Sequence, residues 1–135
     1  MRNLILARLV LAALLICTSS GHSYSQSNTG EYLYNACKTV LDDINDKLSV
    51  EEQNKTAHIR GVCIGTALTL MGAQEHGIVS DKFKYCIPEN VKPNFIALMI
   101  VDFLKKNNQF LTYSIAVASV LAVRNAWPCQ NGRAG

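Results

Sequence analysis

The sequence lacks the alternation of apolar and polar residues that is typical of half-buried β-strands. It also has no internal repeat and no low-complexity segment, which excludes repeat architectures and long disordered linkers. Apolar residues recur instead at spacings of three and four, which is the pattern of amphipathic helices. We therefore predict an all-α fold.

Residues suited to catalysis are also scarce. His58 and His76 are the histidines that remain after export, and each is interpreted as a surface residue of a helix. His58 could activate a cysteine thiolate, but an even set of cysteines in an oxidising compartment leaves no free thiol. Asp42, Asp43 and Asp46 fall on the polar face of a predicted helix, where a solvated face explains them better than acid–base chemistry. There is no glycine-rich phosphate loop, and we expect no enzymatic activity and no cofactor.

The charge balance gives no basis for nucleic-acid binding. The chain has 13 basic and 10 acidic side chains, a net charge of +3, which falls to +1 without residues 1–25. Zinc ligands usually come in close pairs such as Cys-x-x-Cys, whereas the nearest two cysteines of the exported region are 23 residues apart. Neither nucleic acid nor a metal ion is therefore expected as a partner.

The first 25 residues have the pattern of a secretory signal peptide. Arg2 and Arg8 provide the positive start, and residues 9–16 form an apolar run that is too short for a comfortable membrane span. Small residues precede the predicted cleavage site, so that residues 26–135 remain as one exported domain, with no membrane segment.

Two alternatives stay open at this end of the chain. Cleavage after Gly21 also satisfies the small-residue rule. Residues 14–17 vaguely resemble the lipidation motif of bacterial lipoproteins, but the bulky Ile16 directly before Cys17 argues against a lipid anchor.

Capping patterns predict where the first two helices begin. Asn28, with Glu31 three residues later, fits a capping box for the first helix. Ser49 with Glu52 fits a second capping box, so the second helix should begin near residue 50.

Three glycines mark features of the second helix. Gly61 and Gly65 share one of its faces, which predicts close packing by a neighbouring helix, although each costs about 1 kcal/mol against alanine. Gly77 is the predicted stop of this helix, and a loop should follow as far as Tyr85.

Two more helices follow in the second half of the chain. Pro93 suits a first helical position, and Lys105 and Lys106 suit a carboxyl terminus. Thr112 is the predicted cap of the last helix, which is apolar on most sides between residues 115 and 123. Such a helix is either central in the core or shared with a second subunit, so we expect a homodimer. The fold is then a bundle of four main helices in two helical hairpins.

Four cysteines remain after export, and an even number in a small exported domain predicts two disulfides. In an antiparallel first hairpin, Cys37 lies about 11 residues and Cys63 about 13 residues from the turn, so their heights differ by roughly 3 Å. Cys86 precedes the second hairpin and Cys129 follows it, which places both at the same end. We predict the pairs Cys37–Cys63 and Cys86–Cys129.

Several motifs together resemble a known family, the Rap/Tai-like immunity proteins of type VI secretion amidase effectors. The resemblance covers nearly the whole exported region and implies a small periplasmic all-α protein, often dimeric, that blocks a peptidoglycan-cleaving amidase. The motifs are Gly-x-x-Leu-x-x-x-Cys from Gly30, Cys63-Ile64-Gly65, Tyr85-Cys86-Ile87-Pro88-Glu89-Asn90-Val91, Phe103-Leu104 and Ala126-Trp127-Pro128-Cys129.

The alternative is a periplasmic helical stress chaperone or binding protein that resembles the HdeA type. Such proteins also are small, exported and disulfide-stabilised, but the four-cysteine pattern and the Cys-Ile-Pro-Glu motif fit them poorly. An amidase gene next to the gene of this chain would favour the immunity function.

Two connections are candidates for the surface that binds the amidase. We favour the first, from Gly77 to Tyr85, because Cys86 anchors its far end and it has no regular pattern of its own. The second runs from Asn107 to Tyr113. The alternative is that Phe83 and Phe110 only cover the core. The predicted contact residues are Ile78, Val79, Lys82, Phe83 and Lys84 in the first connection, and Phe110 and Tyr113 in the second.

Overall fold

The computed structural model describes residues 28–129, so the predicted signal peptide lies outside the described residues. This part of the chain contains four α-helices and no β-strand, which confirms the predicted all-α class. No helix among these residues combines the length and apolar character needed to cross a membrane. The helices are α1 (Gly30–Ile44), α2 (Val50–Glu75), α3 (Pro93–Lys106) and α4 (Ile115–Ala126), with 3₁₀ turns at Asp81–Phe83 and Asn108–Thr112.

Helices α1 and α3 form the centre of the bundle, because each packs against the other three helices. Helices α1 and α2 form one hairpin and α3 and α4 the other, as predicted. Helix α4 packs against α1 and α3 but is not enclosed on all sides, since its Val117 is 43% exposed. The core is made of apolar side chains from all four helices: Leu33, Ala36, Val40, Ala67, Leu70, Ile96, Ala97, Ile100, Leu104, Ala118, Ala122 and Val123.

Two predicted helix starts are confirmed. The Ser49 hydroxyl accepts a hydrogen bond from the Glu52 backbone N–H, and the Glu52 carboxylate accepts one from the Ser49 N–H at 2.9 Å. Pro93 occupies the first turn of α3, where its missing N–H is not needed. The two hydrogen bonds at Ser49 satisfy N–H groups of the kind that a helix start leaves without an intrahelical partner.

Two predicted caps are wrong. The cap of α1 is Thr29 rather than Asn28, and the cap of α4 is Ser114 rather than Thr112. The reason is tertiary, because Thr29 and Ser114 pair as an isolated antiparallel bridge next to the Gly30 N–H bond to the Tyr113 carbonyl (2.7 Å). This bridge ties the start of α1 to the start of α4.

The predicted role of Gly61 and Gly65 is also wrong. Both are exposed, and a methyl group at either position would meet no atom within 4 Å, so no helix among residues 28–129 packs on that face. The glycine that permits a close approach is Gly30, where a Cβ would collide with the Phe110 carbonyl oxygen and lie 3.2 Å from the Ala118 Cβ.

Both predicted disulfides are present. Cys37 and Cys63 join α1 to α2 with their Cα atoms 5.0 Å apart, and both are fully buried. Cys86 and Cys129 join the segment before α3 to the residues after α4, also with a Cα separation of 5.0 Å. The first disulfide closes one hairpin, and the second closes the ends of the other.

Candidate partner-binding surface

The segment from Tyr85 to Ile87 is held on one side by the end of α4. Tyr85 pairs with Pro128 as an isolated antiparallel bridge, and the Cys86 N–H donates to the Trp127 carbonyl at 2.9 Å. The disulfide from Cys86 adds a covalent link at the same place. The far end of the first candidate loop is thus fixed to the second hairpin.

The same segment is held on its other side by α2. The Ile87 N–H donates to Gln74 Oε1 at 2.5 Å, and Gln74 Nε2 donates back to the Ile87 carbonyl at 2.9 Å. The Tyr85 hydroxyl donates to the Leu70 carbonyl at 2.8 Å, and burial of this side chain raises the pKa of its phenol. The side-chain amide of Gln74 thus pairs with the Ile87 backbone in the way that the backbone of a neighbouring strand would.

The first candidate loop, Gly77 to Tyr85, leaves α2 sharply and stays exposed. Gly77 has φ +63°, a left-handed conformation that suits glycine after a helix end, as predicted. Ile78 is 75% and Phe83 42% exposed, and Lys82 Nζ lies 5.7 Å from the Phe83 ring centroid. Val79 differs, because it packs against the core.

The second candidate connection, Asn107 to Tyr113, carries an aromatic row. The Phe103 and Phe110 rings stack with centroids 5.5 Å apart, and Tyr113 meets Phe110 edge-on at 5.1 Å. Phe110 is half-buried against the core, whereas Tyr113 is 45% exposed. The structure therefore gives Phe110 a packing role and leaves Tyr113 accessible.

A groove of about 450 Å³ runs from this aromatic row to the end of α4, open to solvent. Sequence reasoning named Phe110 but missed the groove. Leu121, Arg124 and Asn125 have the spacing of one helix face, yet only the packing of α3 and the 3₁₀ turn beside that face makes a groove of it. Its lining residues are Phe103, Phe110, Leu121, Arg124, Asn125 and Pro128.

Charge is divided unequally between the two halves of the described chain. Residues 28–75 have four basic and seven acidic side chains, a net charge of −3, whereas residues 76–129 have six basic and three acidic ones, a net charge of +3. Both candidate connections and the groove belong to the positive half. The positive charges of this half include Lys82 and Lys84 in the first loop and Arg124 in the groove, whereas the second connection carries no charged side chain.

The groups that chemistry would need are dispersed or already paired. His58 and His76 are exposed, as expected. Asp42 accepts from Lys38 at 2.8 Å, and Asp43 forms an ion pair with Arg60. Across residues 28–129, no three His, Cys, Asp or Glu side chains lie together in a way that would hold a metal ion.

The fold defines a class: a small helical protein that is cross-linked by two disulfides and exposes apolar side chains on its connecting loops. Residues 29–129 match the family model of the Rap1a immunity proteins, so the chain belongs to that family. The resemblance found in the sequence motifs is thereby confirmed. No curated protein and no solved structure is significantly similar to this chain.

Proposed function

We propose that this protein is a periplasmic immunity protein that binds and blocks a peptidoglycan amidase effector of a type VI secretion system. The observation that carries the proposal is the family match over residues 29–129, since an immunity protein acts by binding a secreted effector. It has no reaction of its own in this proposal and acts in stoichiometric amounts.

The first loop is the proposed inhibitory element. Its exposed Ile78 and Phe83 provide apolar contacts, and Lys82 and Lys84 provide charged contacts around them. Its far end is held by the Cys86–Cys129 disulfide and by the Gln74 amide. A loop that is held in one conformation before binding loses less entropy on binding, which favours inhibition.

The periplasmic location is part of the proposal. Two disulfides are typical of proteins from oxidising compartments, and residues 1–25 have the pattern of a signal peptide. A homodimer is proposed as well, because Val117, Phe95 and Leu98 leave apolar area exposed on the second hairpin. Light scattering that gives the molar mass of a monomer at micromolar concentration would remove the dimer from the proposal.

A protection assay tests function and compartment together. A type VI peptidoglycan amidase from the genome that encodes this chain is directed to the periplasm of a test bacterium, where it should lyse the cells. Co-expression of the full chain should prevent lysis, whereas residues 26–135 alone, which would stay in the cytoplasm, should not. Lysis despite periplasmic accumulation of the full chain would refute the immunity function.

A double variant tests the loop. Phe83→Ala with Lys84→Ala should fold normally, since both side chains are exposed, and should lose most of its inhibition. Leu68→Ala with Lys55→Ala is the control, because it removes one exposed apolar and one exposed basic side chain from α2, outside both candidate connections and the proposed dimer surface. A folded loop variant that inhibits as well as wild type would exclude the loop from the mechanism.

A further inference from the structure

The ion pairs of the described chain are confined almost entirely to its first half. All four basic side chains of residues 28–75 pair with an acid, as Lys55 does with Glu51. Of the six basic side chains in residues 76–129, only Lys106 forms an ion pair, with Asp102. The other five, which form no ion pair among the described residues, are Lys82, Lys84, Lys92, Lys105 and Arg124.

Arg124 differs from the four lysines by its position, because among the described residues it is the one with a charge that lines the groove. Around it lie apolar side chains from three elements: Phe103 of α3, Phe110 of the 3₁₀ turn and Leu121 of α4. A guanidinium presents a planar set of N–H donors that matches a carboxylate with two parallel hydrogen bonds. The groove therefore combines an apolar wall with a guanidinium that can bind a carboxylate.

We propose that this groove is a second contact site for the protein partner, and that it binds a segment with an apolar side chain beside a carboxylate. The apolar side chain packs between Phe110 and Leu121, and the carboxylate accepts hydrogen bonds from Arg124. The identity of that partner as an amidase rests on the proposed function, but the chemistry of the occupant does not.

A second copy of this chain is the less favourable occupant. If the groove lay on the axis of a twofold dimer, the two Arg124 side chains would face each other, whereas the exposed residues on which the homodimer is proposed, Phe95, Leu98 and Val117, do not line the groove. The excess of unpaired positive charge thus points to an acidic partner of another sequence.

Two synthetic peptides test the groove without the effector. They are acetylated, amidated Gly-Leu-Asp-Leu-Gly and Gly-Leu-Asn-Leu-Gly, which have nearly the same shape and differ in charge. In NMR titrations of the full exported chain, the acidic peptide should shift the resonances of Leu121, Arg124 and Asn125 and bind several times more tightly. Arg124→Gln should remove the difference between the peptides.

A charge reversal tests the same site in the complex with the amidase. Arg124→Glu should weaken binding by about tenfold or more, the equivalent of about 1.4 kcal/mol, and the loss should shrink at high salt. Lys105→Glu is the matched control, because Lys105 is exposed, also forms no ion pair and lies outside the groove lining, so its effect should be much smaller. Unchanged melting temperatures establish that both variants fold.

The outcomes separate this inference from the proposed function. An amidase that does not bind the wild type refutes the immunity function, while the peptide titration still judges the groove. Equal binding of the two peptides, no shifts at millimolar peptide, or shifts outside the groove would overturn the inference. The inference would also be overturned if Arg124→Glu changed the molar mass in light scattering but did not change the binding of the acidic peptide. A second copy of the chain would then be the occupant.

Discussion

Replacing Gln74 with leucine should destabilise the protein although both side chains have similar size. The amide of Gln74 makes two hydrogen bonds to the backbone of Ile87, at 2.5 and 2.9 Å, and they join α2 to the segment before α3. Leucine keeps the apolar stem and removes both bonds. The Ile87 N–H is then left without its partner inside the fold.

The magnitude follows from these two bonds. A typical hydrogen bond contributes about 0.5–1.5 kcal/mol net, and an unsatisfied buried group costs about 1–3 kcal/mol. We expect Gln74→Leu to lower the free energy of unfolding by roughly 2 kcal/mol. For a domain of this size that corresponds to a melting temperature lower by roughly 8–16 °C.

Urea unfolding with the disulfides intact measures this change. Gln53→Leu is the control, because Gln53 lies on the same helix and its side chain makes one long hydrogen bond, 3.4 Å to the Leu48 carbonyl. The control should stay within about 0.5 kcal/mol of wild type. If Gln74→Leu also stays within that limit, the amide pair does not hold the segment, and the argument that it fixes the loop end is refuted.

Three further predictions follow from local geometry. Gly61→Ala should raise the free energy of unfolding by about 0.5–1 kcal/mol, because its added methyl group meets nothing, whereas Gly30→Ala should lower it by about 1–3 kcal/mol through the collision with a backbone carbonyl; chemical denaturation measures both. Hydrogen bonds from the Ser49 side chain, and then from its backbone, lower the pKa of Glu52, so they stabilise the fold above pH about 4.5, the ordinary value, and this stabilisation is lost as the pH falls further. Glu52→Gln should therefore lose less stability than wild type when the pH is lowered. An equally steep loss of stability in acid would contradict this. Mild dithiothreitol should reduce the half-buried Cys86–Cys129 disulfide before the fully buried one of the first hairpin, as iodoacetamide labelling and mass spectrometry would detect; the reverse order would contradict it.

The sequence was sufficient for features that depend on neighbouring residues. The capping box at Ser49 and the proline at the start of α3 are local signals, and they hold in the structure. The disulfide pairs were predictable because helix geometry converts residue spacing into height along a hairpin. The resemblance to the family rested on five motifs, four of which contain these cysteines, and the family match over residues 29–129 confirms it.

The features that the sequence did not reveal depend on packing between distant elements. Thr29 replaces Asn28 as a cap because it pairs with Ser114, 85 residues away. The bonds from Gln74 to Ile87 cross from one hairpin to the segment before the other, and nothing in the periodicity of α2 marks them. The glycines of α2 were misjudged for the same reason, since spacing defines a face but not what covers it.

The groove at Arg124 is the clearest case of such a limit. Its lining residues come from α3, the 3₁₀ turn, α4 and Pro128 after α4. The unpaired charge of Arg124 stands out only when the ion pairs of the other basic residues are known. The first loop, by contrast, could be proposed from its lack of a regular pattern. Its exposure of Ile78 and Phe83 agrees with that proposal and does not test it.

The most direct test of the central claim is a titration of amidase activity. The purified exported chain is added in steps to a fixed concentration of the proposed partner, a type VI peptidoglycan amidase from the genome that encodes this chain, and peptidoglycan hydrolysis is followed at each step. Stoichiometric inhibition predicts that the activity falls linearly and reaches zero at an equimolar ratio of the two proteins. Full activity at a tenfold molar excess of the chain would contradict the claim that this protein blocks the amidase.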